Sequence, residues 1–110
     1  MLWKRSSYRD LLRFPKDAQR KLGKALEVAQ EGGCHSSARP MLGSLSEVME
    51  IVANCAGGTY RLMYATEISE AIHVLHVFKK KAHHGIATPK KEIDLIEKRL
   101  KGAKKESGRG

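Results

Sequence analysis

The chain has 110 residues, a formal net charge of +9 and a pI near 9.8. That length suits one domain around one modest core and leaves no room for a second. No stretch approaches the length of a membrane span, so no membrane partner is expected, and the charge asks for a polyanion or an acidic protein without choosing between them.

Leu2 to Arg5 reads as a short opening strand. It has neither the apolar core nor the cleavage site of a signal peptide, so a cytoplasmic location is expected. Ser7-Tyr8-Arg9-Asp10 has the form of a capping box and starts a short helix through Leu11 and Leu12. Pro15 ends that turn and opens the next helix as its first residue. There Ala18, Leu22, Ala25, Leu26 and Ala29 recur at helical spacing, with Lys16, Arg20, Lys24 and Glu27 opposite. Gly32-Gly33 stops the helix. Residues 34–46, rich in Ser, Gly and Pro, read as a loop. Three strands are predicted over 47–53, 59–66 and 71–79, and their short connectors imply antiparallel neighbours. The third, Ile72 to Phe78, is nearly all apolar and is expected to be central and covered on both faces. A basic loop over 79–87 leads to Thr88-Pro89, an N-cap followed by the first residue of a last helix whose buried face is Ile93, Ile96 and Leu100. From Gly102 the chain is expected to be unstructured, so the domain spans 1–103 and a basic tail 104–110. The class is α+β: N-terminal helices packed on a small antiparallel sheet, with a C-terminal helix.

Residues 71–110 hold eleven Lys/Arg against four Asp/Glu, so most of the surplus charge is C-terminal. A solvated helix face and the tail account for part of it. Cys34 and Cys55 form no CxxC pair; two free thiols in a reducing cytosol are the simplest account, with a disulfide left open. Cys34, His35, Cys55, His73 and His76 match no usual zinc spacing, and neither metal nor cofactor is expected.

Several segments taken together point further. Asp10-Leu11-Leu12-Arg13-Phe14-Pro15 leads into the Gly23-Lys24-Ala25-Leu26 helix. Glu50-Ile51-Val52 precedes Thr59-Tyr60-Arg61-Leu62-Met63-Tyr64. Val74-Leu75-His76-Val77-Phe78-Lys79-Lys80-Lys81 is followed by Gly85-Ile86-Ala87-Thr88-Pro89-Lys90-Lys91 and by Ile93 to Leu100. This run, over residues 8–103, resembles the phage-related, HigB-like branch of the RelE/ParE toxin superfamily. The resemblance implies a RelE-like fold and the toxin half of a type II toxin–antitoxin pair. It implies a metal-independent endoribonuclease that cuts messenger RNA, commonly on the ribosome, and an antitoxin partner that carries a helix-turn-helix domain. The superfamily also holds ParE-like inhibitors of gyrase, which cut nothing, so the alternatives are such an inhibitor or an inactive nucleic-acid-binding remnant.

Metal-free RNA cleavage needs a base for the ribose 2′-OH, cations for the phosphate charge and an acid for the departing oxygen. Arg61 is the first choice for the phosphate; a salt bridge to Glu50 is the alternative, and the two are compatible. The resemblance gives the same part to this strand arginine and places Lys81 near a second catalytic cation. Lys80 and Lys81, at the end of the third strand, are candidates for RNA positioning or for the base. His76 is a candidate acid or base, and its strand parity with Val74 and Phe78 is equally that of a core histidine. Lys79, on the other parity, and His83 and His84 in the basic loop are candidate RNA contacts or solubility groups. Tyr64 and Tyr60 are candidates for stacking on a base, although they face away from Arg61. RelE has a lysine pair on the strand that matches residues 47–53, at places that fall near Glu50 and Val52 here, and Glu50 is read as a general base or as an orienting group for Arg61.

Overall fold

Alternating apolar residues in three long strands make the sheet a partition between two cores, each closed by helices. The structure is a computed structural model describing residues 1–4, 6–41, 43–55, 57–68, 71–80 and 89–106, with the backbone alone for Ser44, Glu67 and Lys80. The elements are β1 (Leu2–Trp3), α1 (Ser7–Leu12), α2 (Lys16–Gln30), β2 (Ala38–Pro40), a 3-10 turn (Gly43–Leu45), β3 (Val48–Cys55), β4 (Gly58–Ile68), β5 (Ala71–Lys80) and α3 (Lys90–Glu106). The sheet order is β1-β5-β4-β3-β2. β1 is parallel to β5, and the other pairs are antiparallel.

On one face, Ile51, Ala53, Tyr60, Leu62, Tyr64, Ile72, Val74 and Val77 pack under Leu11, Ala18, Leu22, Ala25, Leu26 and Ala29. The predicted apolar stripe of α2 is thus the stripe it buries. On the other face, Val48, Met63, Ala65, Ile68, Leu75 and Phe78 pack under Ile96, Leu100 and Ala103 of α3. The α+β class is as expected, and the arrangement is compatible with a RelE-like fold.

The structure alters several local expectations. Ser7 does not cap: it is the first residue of α1, fully buried, and its hydroxyl donates to the Lys4 carbonyl at 2.7 Å. A hydroxyl sealed beneath the β1–β5 pair takes the nearest buried acceptor, and Ser6 Oγ donates to Asp10 Oδ2 instead. Pro15 is the N-cap of α2 rather than its first residue. Gly32, at φ 88°, ends that helix as predicted. The loop over 34–46 contains β2 and the 3-10 turn. Three residues ending in Pro carry too little alternation to reveal a strand, and pairing with β3 creates it. β4, not β5, is the central strand, although Ile72 to Phe78 are all buried as expected. α3 continues through Gly102 to Glu106, because Ala103 is fully buried against the sheet and holds the last turns. Thr88, expected as its N-cap, lies outside the described residues; the amides of Glu92 and Ile93 both donate to the Pro89 carbonyl.

Candidate functional site

The α3 face of the sheet carries the polar residues that the two cores do not explain. Glu50 on β3 and Arg61 on β4 are diagonal neighbours, since Glu50 pairs with Met63 and Val52 with Arg61. Both side chains are more than nine-tenths buried, and Arg61 Nη1 donates to Glu50 Oε2 at 2.7 Å. A guanidinium in this setting needs a carboxylate to balance its desolvation. Glu50 also accepts from Arg39 Nε at 3.3 Å, because the β2 register sets Arg39 opposite Glu50. The Arg39 side chain is 59 % exposed. The result is a cross-strand row in which one buried carboxylate holds a buried and an exposed guanidinium. Arg61 Nε is buried without a hydrogen-bond partner among the described residues.

His76 comes to the same face through a β-bulge. Met63 pairs with His76 and Tyr64 with Val74, so Leu75 is the extra residue. Leu75 then joins the α3 core while Val74 and Val77 stay in the α2 core. His76 thus keeps the parity expected with Phe78, stacked on it at 5.3 Å between ring centroids, but not with Val74. Arg61 pairs with Phe78, which makes Arg61 and His76 diagonal neighbours. The His76 ring is clasped by α3. Arg99 Nη1 donates to the Leu75 carbonyl at 2.9 Å and lies 3.3 Å from His76 Nδ1, and Glu92 Oε1 is 2.7 Å from His76 Nε2. Arginine only donates, so Nδ1 accepts, and the ring proton sits on Nε2 facing Glu92.

The remaining candidates separate from this cluster. Lys80 ends β5 in register with Thr59. Lys79 pairs with Tyr60, is exposed, and lies over the Tyr60 ring at 5.7 Å. Tyr60 and Tyr64 both lie in the α2 core, on the opposite face from Arg61. Tyr64 is 2 % exposed, and burial raises its phenol pKa, with a smaller contribution from the Cys34 thiol. A tyrosine so placed offers no ring face to a base. Lys81, His83 and His84 lie outside the described residues. Cys34 and Cys55 are free thiols.

Sequence reasoning missed Arg39, Glu92 and Arg99. Arg39 sits in the segment read as loop. Glu92 and Arg99 were absorbed in a generic charged helix face, although both flank the Ile93–Ile96–Leu100 stripe and so border the sheet.

A partly parallel five-stranded sheet between helices, with a buried Arg–Glu pair and a clasped histidine on one face, defines a small basic α+β domain of RelE-like build. The model of the phage-derived protein Gp49-like (DUF891) family matches residues 9–101, and the chain belongs to that family, which lies within the RelE/ParE-like toxin superfamily. It is a phage-derived, toxin-like family, compatible with a toxin–antitoxin role and with a cognate antitoxin as partner. No curated protein matches the chain. Among the described residues no helix is long and apolar enough to cross a membrane.

Proposed function

We propose that this chain is the toxin of a type II toxin–antitoxin pair, of the HigB-like branch, and a metal-independent endoribonuclease acting on messenger RNA at the ribosome. The observation that carries this reading is Arg61: a mid-strand guanidinium, anchored by Glu50 at 2.7 Å, on the face it shares with His76. Anchoring through one nitrogen fixes the fork before substrate arrives, so little reorganisation remains as charge develops on the phosphate. Glu50 is the orienting group, because its oxygens are occupied by two arginines. Exposed Arg39 adds a second cation beside the first. Both nitrogens of His76 are engaged by α3, which suits a positioning role better than proton transfer. That assigns the proton-transfer and strand-holding work to Lys80 and Lys81. The antitoxin partner carries a helix-turn-helix domain, and the site of action is the cytoplasm.

The test is induced expression of the chain, with and without Arg61→Lys and Lys81→Ala. Arg61→Lys keeps a cation for Glu50 and removes the fork. The parent is expected to arrest growth and cut transcripts on purified ribosomes, and the double variant to lose about 100-fold or more in cleavage rate with unchanged circular dichroism. Intact transcripts with growth still arrested would sink the nuclease reading and favour gyrase inhibition, and tolerated expression of the parent would point to an inactive remnant.

A further inference from the structure

The short helix α1 inverts the usual pattern of a surface helix. Ser7 is fully buried, whereas Tyr8 and Leu12 are 51 % and 52 % exposed. Singly exposed apolar residues need no explanation, but these two stand one helical turn apart and so form a row. Trp3, half-buried, meets the Tyr8 ring edge-on at 5.0 Å between centroids, which extends the apolar surface to β1. Beside this row runs a second, Arg9 and Arg13, again one turn apart and both exposed. Neither arginine has a hydrogen-bond or ion-pair partner among the described residues. Asp10, next to Arg9 in sequence, accepts from Ser6 Oγ at 2.9 Å. The dipole of α1 favours cations near its C-terminus, which accounts for where the arginines stand. It gives no reason for a tyrosine and a leucine in water next to them.

This face lies across the sheet from the Arg61 cluster. Leu11 of α1 joins the α2 core, with Trp3 and Phe14 packed against it. Arg61, between Tyr60 and Leu62 of that core, points the other way. Charge and spacing then select an occupant for α1. A phosphate backbone pairs with the arginines but leaves Leu12 in water. A second copy of this chain brings its own charge of +9 and the same two arginines, so it repels. An amphipathic helix laid along α1 repeats at the same one-turn spacing, and with carboxylates beside an apolar row it satisfies both rows at once.

We infer that the face of α1 formed by Tyr8, Arg9, Leu12 and Arg13 is a docking surface for an acidic amphipathic helix of a partner protein. The apolar row of that helix packs on Tyr8 and Leu12, and its carboxylates pair with Arg9 and Arg13. This surface is independent of the RNA reading above, which uses the other face of the sheet.

The experiment is binding of the full chain to a labelled helical peptide of about four turns, with one leucine row and one glutamate row at one-turn spacing, by fluorescence anisotropy. A second peptide carries glutamine in place of every glutamate. The glutamate peptide is expected to bind about tenfold more tightly than the glutamine peptide. Leu12→Ser, and separately Arg9→Gln with Arg13→Gln, are expected to weaken the glutamate peptide about tenfold each. All three positions are exposed, so the circular dichroism of these variants should match the parent. Lys98→Gln with Lys101→Gln removes the same charge from the exposed face of α3 and is expected to change affinity by less than about twofold. Equal losses in the two paired variants overturn the surface, because net charge then explains both. A Leu12→Ser chain that binds like the parent overturns it too, as does a parent that does not prefer the glutamate peptide. An uncleavable 2′-O-methyl RNA oligonucleotide is expected to leave the peptide bound. If it displaces the peptide and itself depends on Arg9 and Arg13, the face is a nucleic-acid contact and the docking surface is overturned. The Arg61→Lys cleavage assay addresses the nuclease reading separately.

Discussion

His73 illustrates how one buried side chain ties stability to pH. It is 3 % exposed, with Nε2 3.1 Å from the Ile68 carbonyl. Burial lowers its pKa; the Ile68 carbonyl offsets part of this, and Lys4 and the N-terminal amine reinforce the lowering. The unfolded chain therefore binds a proton more readily than the folded one. The contribution of a neutral His73 is complete above the ordinary value of about 6.5 and is lost progressively as pH falls below it toward the folded value. The urea midpoint should be lower at pH 5.5 than at pH 7.5, and His73→Gln should shrink that difference. An unchanged difference in His73→Gln would remove His73 from the account. His73 also shows what parity reading leaves undecided. Alternation placed it beside apolar residues, but the carbonyl it meets comes from Ile68 at the end of β4, which the sequence does not reveal.

At the scale of elements, α3 is held by apolar contacts and by named polar ones. Ile96 is fully buried in the core that also holds Met63, Leu75 and Phe78, and Ile96→Ala should cost about 2–5 kcal/mol in denaturant unfolding. A cost below 1 kcal/mol would mean that the polar contacts of Glu92, Arg99 and Lys104 carry the attachment. The apolar stripes of α2 and α3 were legible because period 3.6 survives in any register. The three long strands were legible from their apolar runs and short connectors. β2 was not, because its three residues gain their identity from pairing with β3. The bulge at Leu75 was not either, since no residue marks it and the extra position is set by the β4 register. Half the candidate site follows from that bulge. Arg61 and Glu50 could be chosen from the sequence, whereas the Arg99–His76–Glu92 clasp required knowing which face His76 takes.

For the whole molecule, the two cores differ in how they depend on the chain. The core under α2 is built by residues 11 to 77, and the one under α3 needs Ile96, Leu100 and Ala103. A chain stopped at Pro89 should therefore leave Met63, Leu75 and Phe78 uncovered and bind the dye ANS, where the full chain does not. A truncated chain that stays monomeric, folded and silent to ANS would show that α3 is an accessory. The net charge of +9 was readable at once and still underdetermined function. Much of it is spread over the exposed faces of α2 and α3, whereas Arg61 and Arg39 are gathered on the sheet by Glu50.

The pairing of β1 with β5 has a consequence for biosynthesis. Leu2 and Trp3 find their partners at His73 and Val74, and the Lys4 amide donates to the Val74 carbonyl. At about 5–20 residues per second of translation, the first strand waits on the order of 4–14 s for its neighbour to be made. The sheet closes only when its earliest and latest strands meet. A nascent chain therefore carries the Arg61 strand well before the surroundings that hold it exist, and any activity built on that face begins only once β5 and α3 have also been made.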